Sequence, residues 1–179
     1  MQTATLSARK IALMVANGFD ETQFVDLQKL SMQNNAVLKI VSASSGLVNS
    51  GATSGMPMSY PVDSSLSETL AIDYDALILI EGKHLDILKN EPHAGRIIRA
   101  FLRSEMPIVS VGSAAELLAS FDDGIEASDI MAMAPHGRKG GLLYADSKGE
   151  FSSVSRLLGD AIADAYAALE AEDDESEAA

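Results

Sequence analysis

The chain has 179 residues, with 13 Lys plus Arg against 26 Asp plus Glu and a formal net charge of −13. That length suits a single domain with a sizeable core, and that charge argues against the basic patch of a nucleic-acid or anionic-membrane binder. There is no Cys, which excludes disulfides, thiolate metal sites, iron–sulfur clusters and a Cys nucleophile. The apolar runs are far shorter than the ~20 residues a bilayer crossing takes. The first ten residues hold no apolar core of the signal-peptide kind. A cytoplasmic domain with no membrane or nucleic-acid partner is therefore expected.

Residues 10–16 (KIALMVA) form an apolar run that ends at Asn17-Gly18, a turn dipeptide. Such a run suits a parallel strand buried on both faces. Phe24, Val25, Leu27, Leu30 and Met32 then recur at helical spacing, which predicts a helix over 22–33. Residues 37–43 read as a second strand. The Gly- and Ser-rich stretch 47–60 has room for one short hairpin. Residues 76–80 (ALILI) are a central strand. Helices follow over 84–89 and 94–103, divided by Pro92. Residues 107–111 (PIVSV) form another central strand, running into Gly112-Ser113 and a helix over 114–120. Residues 130–134 and 142–144 read as weaker strands, and 135–141 as a loop between them. Residues 151–169 read as a long amphipathic helix. The last ten residues hold six acids and no base; without them the net charge is −7. This tail (170–179) is expected to be disordered, since close like charges repel and find no core to join. Its role is either solubilising or that of an arm for a basic partner.

Alternating strands and helices imply right-handed crossovers and a mostly parallel sheet with helices on both faces. In such sheets ligands sit beyond the carboxyl ends of the strands. The segments to inspect are therefore 17–23, 80–84, 112–115 and 135–141.

Four segments, KIALMVANGFDETQF, DYDALILIEG, PIVSVGSAAELLA and LLYADSKGEFSSVSRLLGDAIADAY, together resemble the ThiJ/PfpI superfamily. Its fold is α/β, a flavodoxin-like three-layer sandwich related to class I glutamine amidotransferases. The resemblance covers residues 9–168, and it implies a strand-to-helix elbow at Gly112. Active members carry a Cys on that elbow, a His near it, and a Glu from the first turn-helix segment that reaches the thiol. Here those places hold Gly112, Ser113 and, in the preferred register, Gln23, with Asp20 and Glu21 just before it. The C-terminal domain of large-subunit catalases is a branch of the superfamily that also has Gly on the elbow. Pro107, Ile108 and Gly112, and the run Ala145, Asp146, Ser147, Gly149 and Phe151, are similar to it. The resemblance implies a non-catalytic module without haem or other cofactor, forming a homodimer or higher homo-oligomer, with a stress-related or accessory role.

Several residues carry alternatives. Ser113 either caps the helix that starts at Ala114 or replaces the missing thiol, paired with His84, His93 or His136 as base. Asp20, Glu21 and Glu81 either converge as acid–base groups or oxygen ligands for Mg²⁺ or Ca²⁺, or the first two merely start a helix. Glu81 sits at the end of a buried strand, where an acid must find water, a partner or a proton. The helix start at Gly112-Ser113 is also a place for a small anion. Arg138, Lys139 and Gly140-Gly141 form a compact basic loop, read as ordinary surface. Met56, Met58, Met131 and Met133 offer either an adaptable contact surface or core filling.

Overall fold

A computed structural model describes residues 5–52, 55–148 and 151–178. The N-terminal four residues, residues 53–54, Gly149, Glu150 and Ala179 lie outside the described residues. The strands are β1 (Lys10–Val15), β2 (Val37–Ser42), β3 (Leu47–Asn49), β4 (Ser59–Pro61), β5 (Ser64–Ser65), β6 (Ala76–Leu79), β7 (Ile108–Val111), β8 (His136–Lys139) and β9 (Leu142–Ala145). The helices are α1 (Glu21–Gln33), α2 (His84–Lys89), α3 (Pro92–Arg103), α4 (Ala114–Ala119), α5 (Ala127–Met131) and α6 (Phe151–Glu177).

Seven strands form one sheet in the order β5-β2-β1-β6-β7-β9-β8. All pair in parallel except β8, which runs antiparallel to β9. β3 and β4 form a separate antiparallel hairpin.

Alternation along β1 sorts its side chains between two cores. Ile11, Leu13 and Val15 face α1 and α6, joining Phe24, Leu27, Val154, Leu158 and Ile162. Ala12 and Met14 face α2 to α5, joining Leu88, Ile97, Phe101, Leu118 and Ile130. A strand covered on both faces has to be apolar at consecutive positions, which is why β1, β6 and β7 are continuous apolar runs. Each large side chain so buried contributes about 1.5–3 kcal/mol. This is the three-layer flavodoxin-like arrangement.

Three expectations are corrected. Residues 130–134 are not a strand: Ala127–Met131 is helical and buries only Ile130. A short apolar run carries no decisive period, and here Glu126 opens a turn instead. Residues 135–141 are not a loop throughout: His136–Lys139 is an edge strand paired with β9. The acidic tail is not disordered as far as Glu177, because α6 continues through it. Its Ala and Glu residues are good helix formers, and extending a formed helix avoids the costly nucleation step. Residues 167–177 are exposed throughout.

Candidate functional site

The turn after β1, the turn after β6 and the elbow after β7 meet at the carboxyl end of the sheet. The approach of the first two is set by Gly82. Its φ is +134°, and a Cβ there would lie 2.4 Å from the Gly18 carbonyl oxygen. The Asp20 amide donates to the Glu81 carbonyl (2.9 Å). Asp20 caps α1, its carboxylate accepting from the Gln23 amide (2.9 Å). Phe19, Phe24 and Tyr60 stack with centroids 4.5–5.9 Å apart. Glu21 accepts from the Tyr60 hydroxyl at 2.7 Å. Partial burial and the Glu21 carboxylate push that phenol up to about 12.

Gly112 forms the elbow, with φ +51°, a conformation L side chains rarely adopt. A Cβ at Gly112 would stand 1.9 Å from Glu81 Oε1 and 2.7 Å from Ser147 Oγ. The carboxylate of Glu81 thus fills the space a side chain on the elbow would take. Glu81 Oε1 accepts from the Ser113 amide (2.8 Å) and the Ser147 hydroxyl (2.9 Å). Its Oε2 accepts from Gln23 Nε2 (2.7 Å), while Gln23 Oε1 accepts from the Glu81 amide (3.0 Å). Burial raises the Glu81 carboxyl, but the bonds from Ser113, Ser147 and Gln23 outweigh it and hold the group below its ordinary value. Glu81 is an ionised plug with its acceptors engaged.

The remaining candidates are placed as follows. Ser113 stands at the N-cap of α4 but its side chain makes no capping bond; its contribution is the backbone N–H. His84 is fully buried. Its Nδ1 accepts from the Ala16 amide (3.1 Å), so its Nε2 donates to the Ile80 carbonyl (2.8 Å). Burial lowers its pKa to about 4. With both nitrogens engaged, His84 offers Ser113 no base. His136 is exposed on the edge strand β8, opposite Ala145. His93 is exposed at the start of α3. Among the described residues neither hydrogen-bonds Ser113. Asp20, Glu21 and Glu81 do not converge: each serves a different donor. Arg138 pairs with Asp164 (2.8 Å), and the Gly140-Gly141 turn lies at the opposite end of the sheet from the elbow. Met131 and Met133 pack against the second core, whereas Met56 and Met58 are exposed.

Sequence reasoning missed Ser147, which closes the cradle from the loop after β9. Its place in the Ala145-Asp146-Ser147 run was the available clue. No helix among the described residues is long and apolar enough to cross a membrane.

A mostly parallel α/β sandwich with a strand-to-helix elbow at the carboxyl end of its sheet defines the class. The sequence profile of the DJ-1/PfpI family matches residues 9–128; the chain belongs to that family. Similar solved structures include a ThiJ/PfpI domain protein from Brachyspira murdochii, with TM-score 0.68 and 16% identity, covering 90% of this chain and 98% of that one. DJ-1beta of Drosophila melanogaster gives TM-score 0.68 and 15% identity, covering 90% and 97%. A two-domain protein from Anabaena variabilis with DJ-1/ThiJ/PfpI-like and ferritin-like domains gives TM-score 0.71 and 14% identity. That match covers 84% of this chain but 47% of that protein, so the chain spans about half its length. No curated protein sequence matches the chain.

Proposed function

We propose that this chain is a non-catalytic DJ-1/PfpI domain, similar to the C-terminal domain of large-subunit catalases. It acts in the cytoplasm as an oligomerising, accessory or stress-related module. One observation carries the reading: Glu81 Oε1 lies 1.9 Å from where a Cβ on Gly112 would be. The elbow therefore has neither a reactive side chain nor space for one. An activated serine needs a base beside it, and the buried His84 already spends both ring nitrogens on Ala16 and Ile80. A small-anion sensor at the elbow is also disfavoured, since Glu81 already takes the Ser113 amide. A role through contacts is supported by apolar side chains left open to solvent: Ile72 is 90% exposed, Met56 88% and Met32 78%.

The test is turnover of methylglyoxal and of a p-nitrophenyl ester by the purified chain and by Ser113→Ala and His136→Ala. The expected rate equals buffer for all three. Turnover that Ser113→Ala abolishes would replace this reading with that of a hydrolase or lyase rebuilt around Ser113.

A further inference from the structure

A groove of about 670 Å³ opens at the opposite end of the sheet from the elbow, between the end of α3, the β8–β9 turn and α6. Met106, Leu142, Ala161, Ala165 and Leu169 form the apolar part of its lining. α6 supplies one wall, and its apolar stripe emerges gradually: Ala161 is buried, Ala165 half-buried, and Leu169 39% exposed. A core-facing stripe that runs on into solvent at helical spacing is an unpartnered helix face.

The charge of the lining leans acidic, three acids against two bases, and the excess grows along α6 outside it. Arg138 is tied to Asp164 at 2.8 Å, which leaves Arg103 against Glu105 and Glu172 on the lining. Beyond them α6 carries Glu170, Asp173, Asp174, Glu175 and Glu177, and no base follows Arg156. Acids crowd the carboxyl end of this helix, where the macrodipole disfavours them and a cation stabilises.

We propose that this groove, walled by the acidic end of α6, docks a basic amphipathic helix of a protein partner. Leu or similar side chains of that helix would fill the space over Ala165 and Leu169, while its Lys and Arg face Glu172 and the acids beyond. The charge selects this occupant. A second copy of the chain would set acid against acid, and an anionic membrane would be repelled. The proposal names a kind of partner for the accessory reading above, but it rests on different residues. Turnover at the elbow would sink that reading and leave the groove untouched.

The test is fluorescence anisotropy of a labelled helical peptide of Lys and Leu with the Leu residues on one face. It is titrated with the full chain, beside a scrambled peptide of the same composition. The amphipathic peptide should bind at least about tenfold tighter than the scrambled one, and binding should weaken as salt shortens the screening length from ~10 Å at 0.1 M to ~3 Å at 1 M. Leu169→Arg and Glu172→Lys should each weaken it by about tenfold. Glu68→Lys, an exposed acid outside the groove, makes the same charge change as Glu172→Lys and should leave it unaltered. Equal binding of the scrambled peptide, or equal loss in Glu68→Lys and Glu172→Lys, would reduce the effect to net charge and overturn the proposal. Self-association that Leu169→Arg abolishes would give the groove to a second copy and overturn it as well.

Discussion

Placing a methyl group on Gly112 tests the central geometry directly. In Gly112→Ala the new Cβ would meet Glu81 Oε1 at 1.9 Å and Glu81 Cδ at 2.4 Å, so the carboxylate must leave. The left-handed φ alone costs about 1 kcal/mol for a non-glycine residue. Expelling the carboxylate breaks its bonds from Ser113, Ser147 and Gln23. Hydrogen bonds to a charged group contribute about 1.5–3 kcal/mol each, but Glu81 is only half-buried and Ser147 is exposed, so water recovers much of this. A net loss of about 2–3 kcal/mol is the working figure. Gly112→Ala should therefore cost about 3–4 kcal/mol in the native background, or roughly 10 °C in Tm for a chain of this size. In a Glu81→Ala background the carboxylate clash is gone, only the exposed Ser147 hydroxyl at 2.7 Å has to turn aside, and the same change should cost only about 1 kcal/mol. Urea unfolding followed by far-ultraviolet circular dichroism reads all four corners of the cycle, as the chain has no Trp to report by fluorescence. The expected coupling is about 2 kcal/mol. If Gly112→Ala costs the same in both backgrounds, Glu81 does not occupy the elbow and the plug argument fails.

Two further outcomes follow from the same residues. His84 is neutral and buried with its pKa lowered to about 4 from 6.5, so between those values the unfolded chain takes up a proton that the folded chain refuses. Stability should fall as pH drops from 6.5 to about 4, by about 3 kcal/mol from this group, and His84→Asn should flatten the slope in that window in urea titrations. Glu81 adds its own loss only at lower pH, as the pH falls from its ordinary 4.5 through its depressed folded value. Deleting residues 170–179 removes, among the described residues, only exposed ones, and should change stability by no more than about 0.5 kcal/mol. A larger loss would mean that this helical end holds the fold together.

Legibility tracked what each element depends on. β1, β6 and β7 could be read because burial on both faces writes itself as unbroken apolar sequence. α3 could be read because Ala94, Ile97, Ile98 and Phe101 recur at helical spacing and all are buried. β8 could not: His136-Gly137-Arg138-Lys139 is polar, and only its pairing with β9 makes it a strand. The two residues of β5 are strand solely because β2 lies beside them. α5 was misread because a five-residue apolar run has no room to display a period. At the site, Glu81 was conspicuous as an acid ending a buried strand, and Asp20 was recognisable as a helix opener. What Glu81 binds was not legible, since Gln23, Ser113 and Ser147 lie 58, 32 and 66 residues away along the chain.

Gln23 shows why the plug needs an amide beside it. Its Nε2 donates to Glu81 Oε2 at 2.7 Å while its Oε1 accepts from the Glu81 amide at 3.0 Å. The side chain is buried at 5% exposure, so no other orientation satisfies both ends. The resemblance to the family puts an acid at this place, in register with a thiol on the elbow. With the carboxylate supplied by residue 81 instead, an acid at 23 would set oxygen against oxygen at hydrogen-bond distance. Two carboxylates so close cannot both ionise, and one pKa rises strongly. In Gln23→Glu the pair should hold one proton in the folded state at pH values where the unfolded chain has released it. Each unit by which that pKa is raised corresponds to about 1.4 kcal/mol, so a loss of about 2–4 kcal/mol at pH 7 is expected. The pH dependence then flattens: the variant keeps the loss through His84, but as pH falls from 7 toward 5 the proton held by the pair offsets it, so the stability gap between Gln23→Glu and the native chain should narrow. Urea midpoints of the two proteins at pH 7 and pH 5 provide the comparison. Equal stability at pH 7 together with parallel slopes would show that residue 23 does not face Glu81, and the ionised plug would lose one of its side-chain donors.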